Sequence, residues 1–254
     1  PQVADGMVVV RTGDGRITGL SAQDGKRQWL YERATPALIV RSHAGVVIQR
    51  GIVFAGFAAG KLAAINLKNG AVIWESTVSQ PRGNTELERI SDITSVPVVD
   101  DEQVCAVSFQ GRVACFDIAQ GNMLWSRELS SDKGMTLLRK TLYITEANGT
   151  VLALDKKSGS SIWKNDQLFM RGVSAPFALD NYVLVADYKG YLHALNREDG
   201  GLAGRIELKI DRTHFEPDVL GRGLKSPVLF APVALGDGLL VQTRAGDVYS
   251  VAIH

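Results

Sequence analysis

Apolar runs of three to five residues recur along the chain, separated by glycine-bearing polar turns. Residues 149–163, GTVLALDKKSGSSIW, show the unit most clearly. Asn148-Gly149 opens a hairpin, Val151 to Leu154 form an apolar strand, Ser158-Gly159 turns again, and Trp163 anchors the next strand. An Asn-Gly pair before an apolar run is a strong hairpin signal. The frame occurs six times, starting at Gly15, Gly60, Gly111, Gly149, Gly190 and Gly246. Two residues on lies an apolar residue, four on a small one, and five on another apolar one. Ten on, a second glycine recurs at Gly25, Gly70, Gly121, Gly159 and Gly200. Fourteen on stand Trp29, Trp74, Trp125 and Trp163, all four tryptophans of the chain, with Gly204 in the fifth copy.

The frame also extends backwards. An apolar strand precedes each first glycine, at residues 7–10, 52–54, 104–107, 142–144, 183–185 and 239–241. Another strand starts about fourteen residues upstream, often at proline (Pro1, Pro97, Pro176, Pro232). Each unit is therefore four short strands joined by tight turns, with no long amphipathic helix. Repeats of about 40–45 residues with four strands each predict propeller blades. The expected fold is an all-β propeller of four-stranded antiparallel blades in one domain, residues 1–254. The blade repeats fall near 1–29, 30–74, 75–125, 126–163, 164–204 and 205–254. The last copy stops after its third strand and the first opens directly on a strand. We therefore expect about six blades of a ring of about eight, with one or two N-terminal blades missing.

Composition narrows the function. The 254 residues are 45% hydrophobic and carry 28 basic against 27 acidic side chains. That balance argues against a nucleic-acid partner held by bulk charge. There is no apolar run of membrane-spanning length. His43, His193, His214 and His254 are scattered, without the spacing or carboxylate company of a metal site. No nucleophile elbow, phosphate loop or zinc-protease motif occurs. The expectation is no catalytic, metal or cofactor residues. Cys105 and Cys115 share strand parity about the turn at Gln110-Gly111. They either bridge in an oxidising compartment or simply fill apolar and small strand positions. The second is favoured, because direct cross-strand bridges are often strained.

Regular repeats are scaffold, so function is expected where the connections break step. Residues 30–45, 75–96 and 205–231 do so. In 75–96, Asn84 or Thr85 can cap a short turn through Glu88. The reading favoured from the residues alone is a solvated loop in which Glu88 pairs with Arg82 or Arg89. Residues 38–41 read by themselves as an inner strand.

The A-L-D-x-x-S-G-x-x-x-W frame resembles the propeller repeat of the pyrroloquinoline-quinone type over the whole chain. Quinoprotein dehydrogenases share it with the BamB lipoproteins of the β-barrel assembly machinery. Residues 83–92, GNTELERISD, followed by Pro97-Val98, are similar to the BamB signature. Ser174-Ala175-Pro176, residues 187–193 (DYKGYLH) and residues 246–250 (GDVYS) match the same family. The resemblance implies a non-catalytic scaffold at the periplasmic face of the outer membrane, held by an N-terminal lipid absent from this chain. It implies binding to the periplasmic POTRA domains of BamA and assistance to unfolded outer-membrane proteins. The partner-binding positions it implies are Leu38, Val40 and Arg41 on one link, and Arg89, Asp92 and Thr94 on the next. Arg41 would pair with a partner carboxylate, and Asp92 would take a partner cation or hold Arg41. Val40 stands where the family has leucine, and Thr94 where a second aspartate is common. The rival expectations are a quinoprotein dehydrogenase fragment and an extracytoplasmic propeller that binds peptides along exposed strand edges.

Overall fold

The computed structural model describes residues 1–36, 38–40, 44–179, 181–208, 228, 231–235, 238–244 and 246–252. Six antiparallel sheets follow one another along them. The first holds β1 (Gln2–Ala4), β2 (Met7–Arg11), β3 (Ile17–Ser21) and β4 (Arg27–Tyr31). The second holds β5 (Val47–Gln49), β6 (Ile52–Gly56), β7 (Lys61–Asn66) and β8 (Val72–Thr77). The third holds β9 (Val98–Val99), β10 (Gln103–Val107), β11 (Arg112–Asp117) and β12 (Met123–Glu128). In the fourth are β13 (Gly134–Leu138), β14 (Thr141–Thr145), β15 (Val151–Asp155) and β16 (Ser161–Asn165). The fifth has β17 (Phe177–Ala178), β18 (Tyr182–Ala186), β19 (Tyr191–Asn196) and β20 (Leu202–Glu207), and the sixth β21 (Val233–Leu235), β22 (Gly238–Gln242) and β23 (Val248–Ala252). Within each sheet the strands lie in chain order. The first strands of the first five sheets contact one another in sequence, so they form the inner edge of a propeller.

Burial follows from stacking. Residues of β6, β7, β10 and β11 are buried on both faces, because a sheet lies on each side. Val53, Ala55, Ala63 and Ile65 face the first sheet, while Phe54, Leu62 and Ala64 face the third. The core is thus a series of apolar layers, one between each pair of neighbouring sheets.

The tryptophan and the second glycine of the repeat are two halves of one joint. The Nε1 of Trp29, Trp74, Trp125 and Trp163 donates to Leu67, Ile118, Lys156 and Arg197 carbonyl oxygens, each at 2.8 Å. Each acceptor lies in the next sheet, three residues before that sheet's second glycine. A Cβ on Gly159 would stand 2.4 Å from the Trp125 ring. The glycine's φ of +70° serves the turn, and its bare Cα is the surface on which the previous blade's indole rests. Only the turn requirement was expected from the sequence.

The cysteines correct a second expectation. Cys105 and Cys115 are directly opposed in the β10–β11 register and form a disulfide. Both are wholly buried in the layer between the third and fourth sheets, with Cα atoms 4.1 Å apart. That spacing belongs to a non-hydrogen-bonded cross-strand pair, where side chains approach most closely.

Candidate functional face

The up-and-down order of each sheet sends two kinds of connection to opposite ends. Turns between first and second strands, and between third and fourth, gather at one end and are short. The other end carries the turns between second and third strands together with the long links between blades. Leu38 and Val40 lie on the link from the first blade to the second. Arg89, Asp92 and Thr94 lie on the next link, so both sets share one end.

Asp92 joins the two links. Its Oδ2 accepts from the Val40 amide at 2.8 Å, and its Oδ1 from the Ala59 amide at 2.9 Å. Ala59 sits in the turn between β6 and β7 with φ of +56°, which turns its N–H toward the carboxylate. Ile93 N donates to Phe57 O, and Phe109 N to Asp92 O, extending the seam to the third blade. Ile93 fills the space where a side chain at residue 56 would stand: a Cβ on Gly56 would lie 2.1 Å from its Cγ2.

The placement of the expected residues is uneven. Leu38 is exposed at 42%, next to half-buried Ile39 and Val40. Asp92 and Thr94 are only 5% and 9% exposed. Both Asp92 oxygens accept from backbone amides, where a charged acceptor is worth most. Thr94 is likewise interior, and its Oγ1 has no hydrogen-bond partner among the described residues. Arg89 is exposed on the turn below. Arg41 lies outside the described residues, as do His43, His214, His254 and most of residues 205–231.

Residues 83–89 form a capped turn. Glu88 Oε2 accepts from the amides of Asn84 (2.8 Å) and Thr85 (3.1 Å), while Glu88 N donates to Thr85 Oγ1 at 3.3 Å. This is a reciprocal cap. The backbone hydrogen bonds from Asn84 and Thr85 lower the Glu88 pKa. The expected pairing of Glu88 with Arg82 or Arg89 gives way to it, and Arg82 approaches Glu128 at 3.8 Å instead. With its amide oriented to satisfy both groups, Gln110 pins the turn from beneath through Leu87 O and Ile90 O at 3.2 Å. Leu87 is left exposed.

His193 is buried with a carboxylate beside it. Its Nε2 lies 2.9 Å from Asp187 Oδ2, and Arg171 Nε donates to the same oxygen at 2.7 Å. Asp187 Oδ1 accepts from the Lys189 and Tyr191 amides. Burial would raise the Asp187 pKa. The hydrogen bonds from His193, the Tyr191 amide and Arg171 outweigh burial and hold it at about 2. Among the described residues, no group of three His, Cys, Asp or Glu side chains is arranged to hold a metal ion.

The propeller keeps one end short and regular and concentrates the tied links, with exposed Leu38 and Leu87, at the other. A family model described as outer membrane protein assembly factor BamB matches residues 1–165, and the chain belongs to that family. It is 45% identical over its whole length to the BamB of Nitrosomonas eutropha, covering 59% of that protein. It is 39% identical over 99% of its length to that of Bordetella pertussis, covering 61% of it. The chain thus spans about three fifths of the length of these curated relatives. The crystal structure of BamB from Moraxella catarrhalis superposes with a TM-score of 0.86 at 27% identity, over 99% of this chain and 71% of that one. A quinohemoprotein alcohol dehydrogenase from Pseudomonas putida HK5 superposes at 0.69 with 15% identity, over 95% of this chain and 50% of that one, and shares the fold alone.

Proposed function

We propose that the link-bearing end of this propeller is the docking face for the periplasmic POTRA domains of BamA. The chain then acts as a scaffold in outer-membrane protein assembly. The observation that carries the reading is the Asp92 seam, which fixes Val40 against the second blade and leaves the Leu38 side chain to solvent. An apolar anchor on a preorganised loop loses little entropy on binding. Leu38 and Val40 supply the apolar contact and Arg41 the charged one, while Asp92 holds the loop in place. Thr94 backs the seam, and Arg89 lies on the adjoining rim. In this reading the full-length protein is lipid-anchored at the periplasmic face of the outer membrane, in a ring of about eight blades. Unfolded outer-membrane proteins are its indirect clients through the complex.

Titration calorimetry with a soluble BamA POTRA segment tests this. Leu38→Glu and Arg41→Glu are each expected to weaken binding by about tenfold or more, with unchanged melting. Affinity equal to that of the unsubstituted chain in both variants would sink the assignment.

A further inference from the structure

Counting back from the first glycine of each repeat exposes two exceptional positions. Four residues before it stand Arg11, Gly56, Val107, Thr145, Ala186 and Gln242; three before it stand Thr12, Phe57, Ser108, Glu146, Asp187 and Thr243. Only the first copy puts a cation in the former position. Only the second puts an aromatic ring in the latter. The structure brings these two exceptions together. Arg11 ends β2 on the same parity as Met7 and Val9, which face the second sheet, and its guanidinium carbon lies 5.1 Å from the centre of the Phe57 ring.

Arg11 borders a cavity of about 30 Å³ that is also lined by Asp14, Arg33, Thr35, Val40 and Asp92. The other charges around it are matched. Asp14 is held by Thr12 Oγ1 and by Arg16 Nε at 2.6 Å. Arg33 pairs with Glu75 at 2.7 Å, and Asp92 accepts the two backbone amides. Arg11 Nη1 is buried and has no hydrogen-bond partner among the described residues. Leaving a buried guanidinium nitrogen unpaired is costly, and the ring supplies attraction but no acceptor. The cavity has room for one small polar group, and Val40 of the docking link lines it.

We propose that Arg11 and this cavity form a carboxylate subsite of the docking face, in which an Asp or Glu side chain of the protein partner enters beside Val40 and accepts a hydrogen bond from Nη1. Phe57 packs on the guanidinium, and Asp92 fixes Val40, which lines the cavity. The subsite rests on the docking reading above and deepens it.

The test compares Arg11→Met with the unsubstituted chain, titrated with the soluble POTRA segment at low and at physiological salt. Arg11→Met is expected to bind about tenfold more weakly or worse, with a shallower salt dependence, while its melting temperature is unchanged or higher. A purely structural arginine would instead lower melting and leave the affinity of the folded protein alone. If Arg11→Met binds within about twofold of the unsubstituted chain while Leu38→Glu fails to bind, the subsite is overturned and the docking reading stands. No binding by the unsubstituted chain overturns both. Should Arg11→Met fold poorly, the Nε–H resonance of Arg11 in the unsubstituted chain decides. A shift on saturation with the POTRA segment supports the subsite, and an unmoved signal overturns it.

Discussion

Two shoulders of the propeller use a buried aspartate at the same end of the fold, to opposite effect. On the fifth blade, Asp187 gathers Arg171, His193 and two backbone amides around one carboxylate. Cation and anion answer each other inside the blade. Between the first and second blades, Asp92 is committed to two amides, and the nearby guanidinium of Arg11 keeps a nitrogen without a partner among the described residues. The difference separates architecture from availability. A charge matched within the chain is part of the scaffold, whereas one left unmatched beside a fixed, apolar-tipped loop is available to a partner.

The largest effect expected is from Asp187→Ala. It strands the Arg171 and His193 side chains and the Lys189 and Tyr191 amides in a site with no solvent access to the carboxylate. The cost should be about 3–5 kcal/mol in urea unfolding, as for removal of one partner from a buried charge pair. A loss below about 1 kcal/mol would mean the cluster is not a closed unit.

How far such a contrast could be read from sequence depends on spacing. The sheets were legible because glycine, alternating apolar residues and tryptophan recur in one frame. Leu38 as an exposed tip was not legible from the residues alone: 38–41 read as an inner strand, whereas residues 38–40 lie outside any strand and the inner strand is β5, Val47–Gln49. Neither was the interior position of Asp92. Its ligands are the amides of Val40 and Ala59, 52 and 33 residues away, and backbone donors leave no mark on residue identity. The Cys105–Cys115 bridge was visible as opposed parity, yet parity alone does not distinguish a bonded pair from two small core residues. Arg11 and Phe57 did carry a signal, as the odd members of two aligned columns, but it becomes informative only once the fold shows that these columns meet across the blade interface.

Acid separates the two shoulders next. The Asp187 pKa is about 2 in the folded protein, below the ordinary carboxylate value of about 3.9 in the unfolded chain. The folded state therefore favours the ionised form. Its contribution, about 2–3 kcal/mol, is complete above the unfolded value and lost as pH falls through about 2. The stability gap between the unsubstituted chain and Asp187→Asn should be at its full width from about pH 5 upward and shrink steadily toward pH 2. A gap independent of pH would show that the carboxylate's charge is not what holds the cluster.

A smaller loss is expected from Asp92→Ala. It removes one acceptor from two amides, and the Val40 amide lies on a half-buried link that water can reach once the seam opens. A cost of about 1–3 kcal/mol follows, below that of Asp187→Ala. The same change frees residues 38–40, so hydrogen exchange at Val40 should rise sharply while exchange in β6 and β7 stays slow. Protection at Val40 equal to that in the unsubstituted chain would remove Asp92 from its positioning role.

The finest test is one of sign. Methionine replaces either arginine with a flexible apolar chain of similar reach. At residue 171 it abandons a buried carboxylate and should cost several kcal/mol, about 3 or more. At residue 11 it removes a guanidinium whose Nη1 is unmatched and whose pKa burial already lowers. It also keeps a contact with the Phe57 ring through sulfur in place of the cation. The two changes at residue 11 nearly cancel, so Arg11→Met should fall within about 0.5 kcal/mol of zero or stabilise slightly. Parallel urea melts of the two variants would decide the comparison. Equal losses at both positions would place Arg11 in the scaffold with Arg171. A loss at residue 171 alone would mean that stability does not account for a cation at residue 11, and that its role must be sought in what binds there.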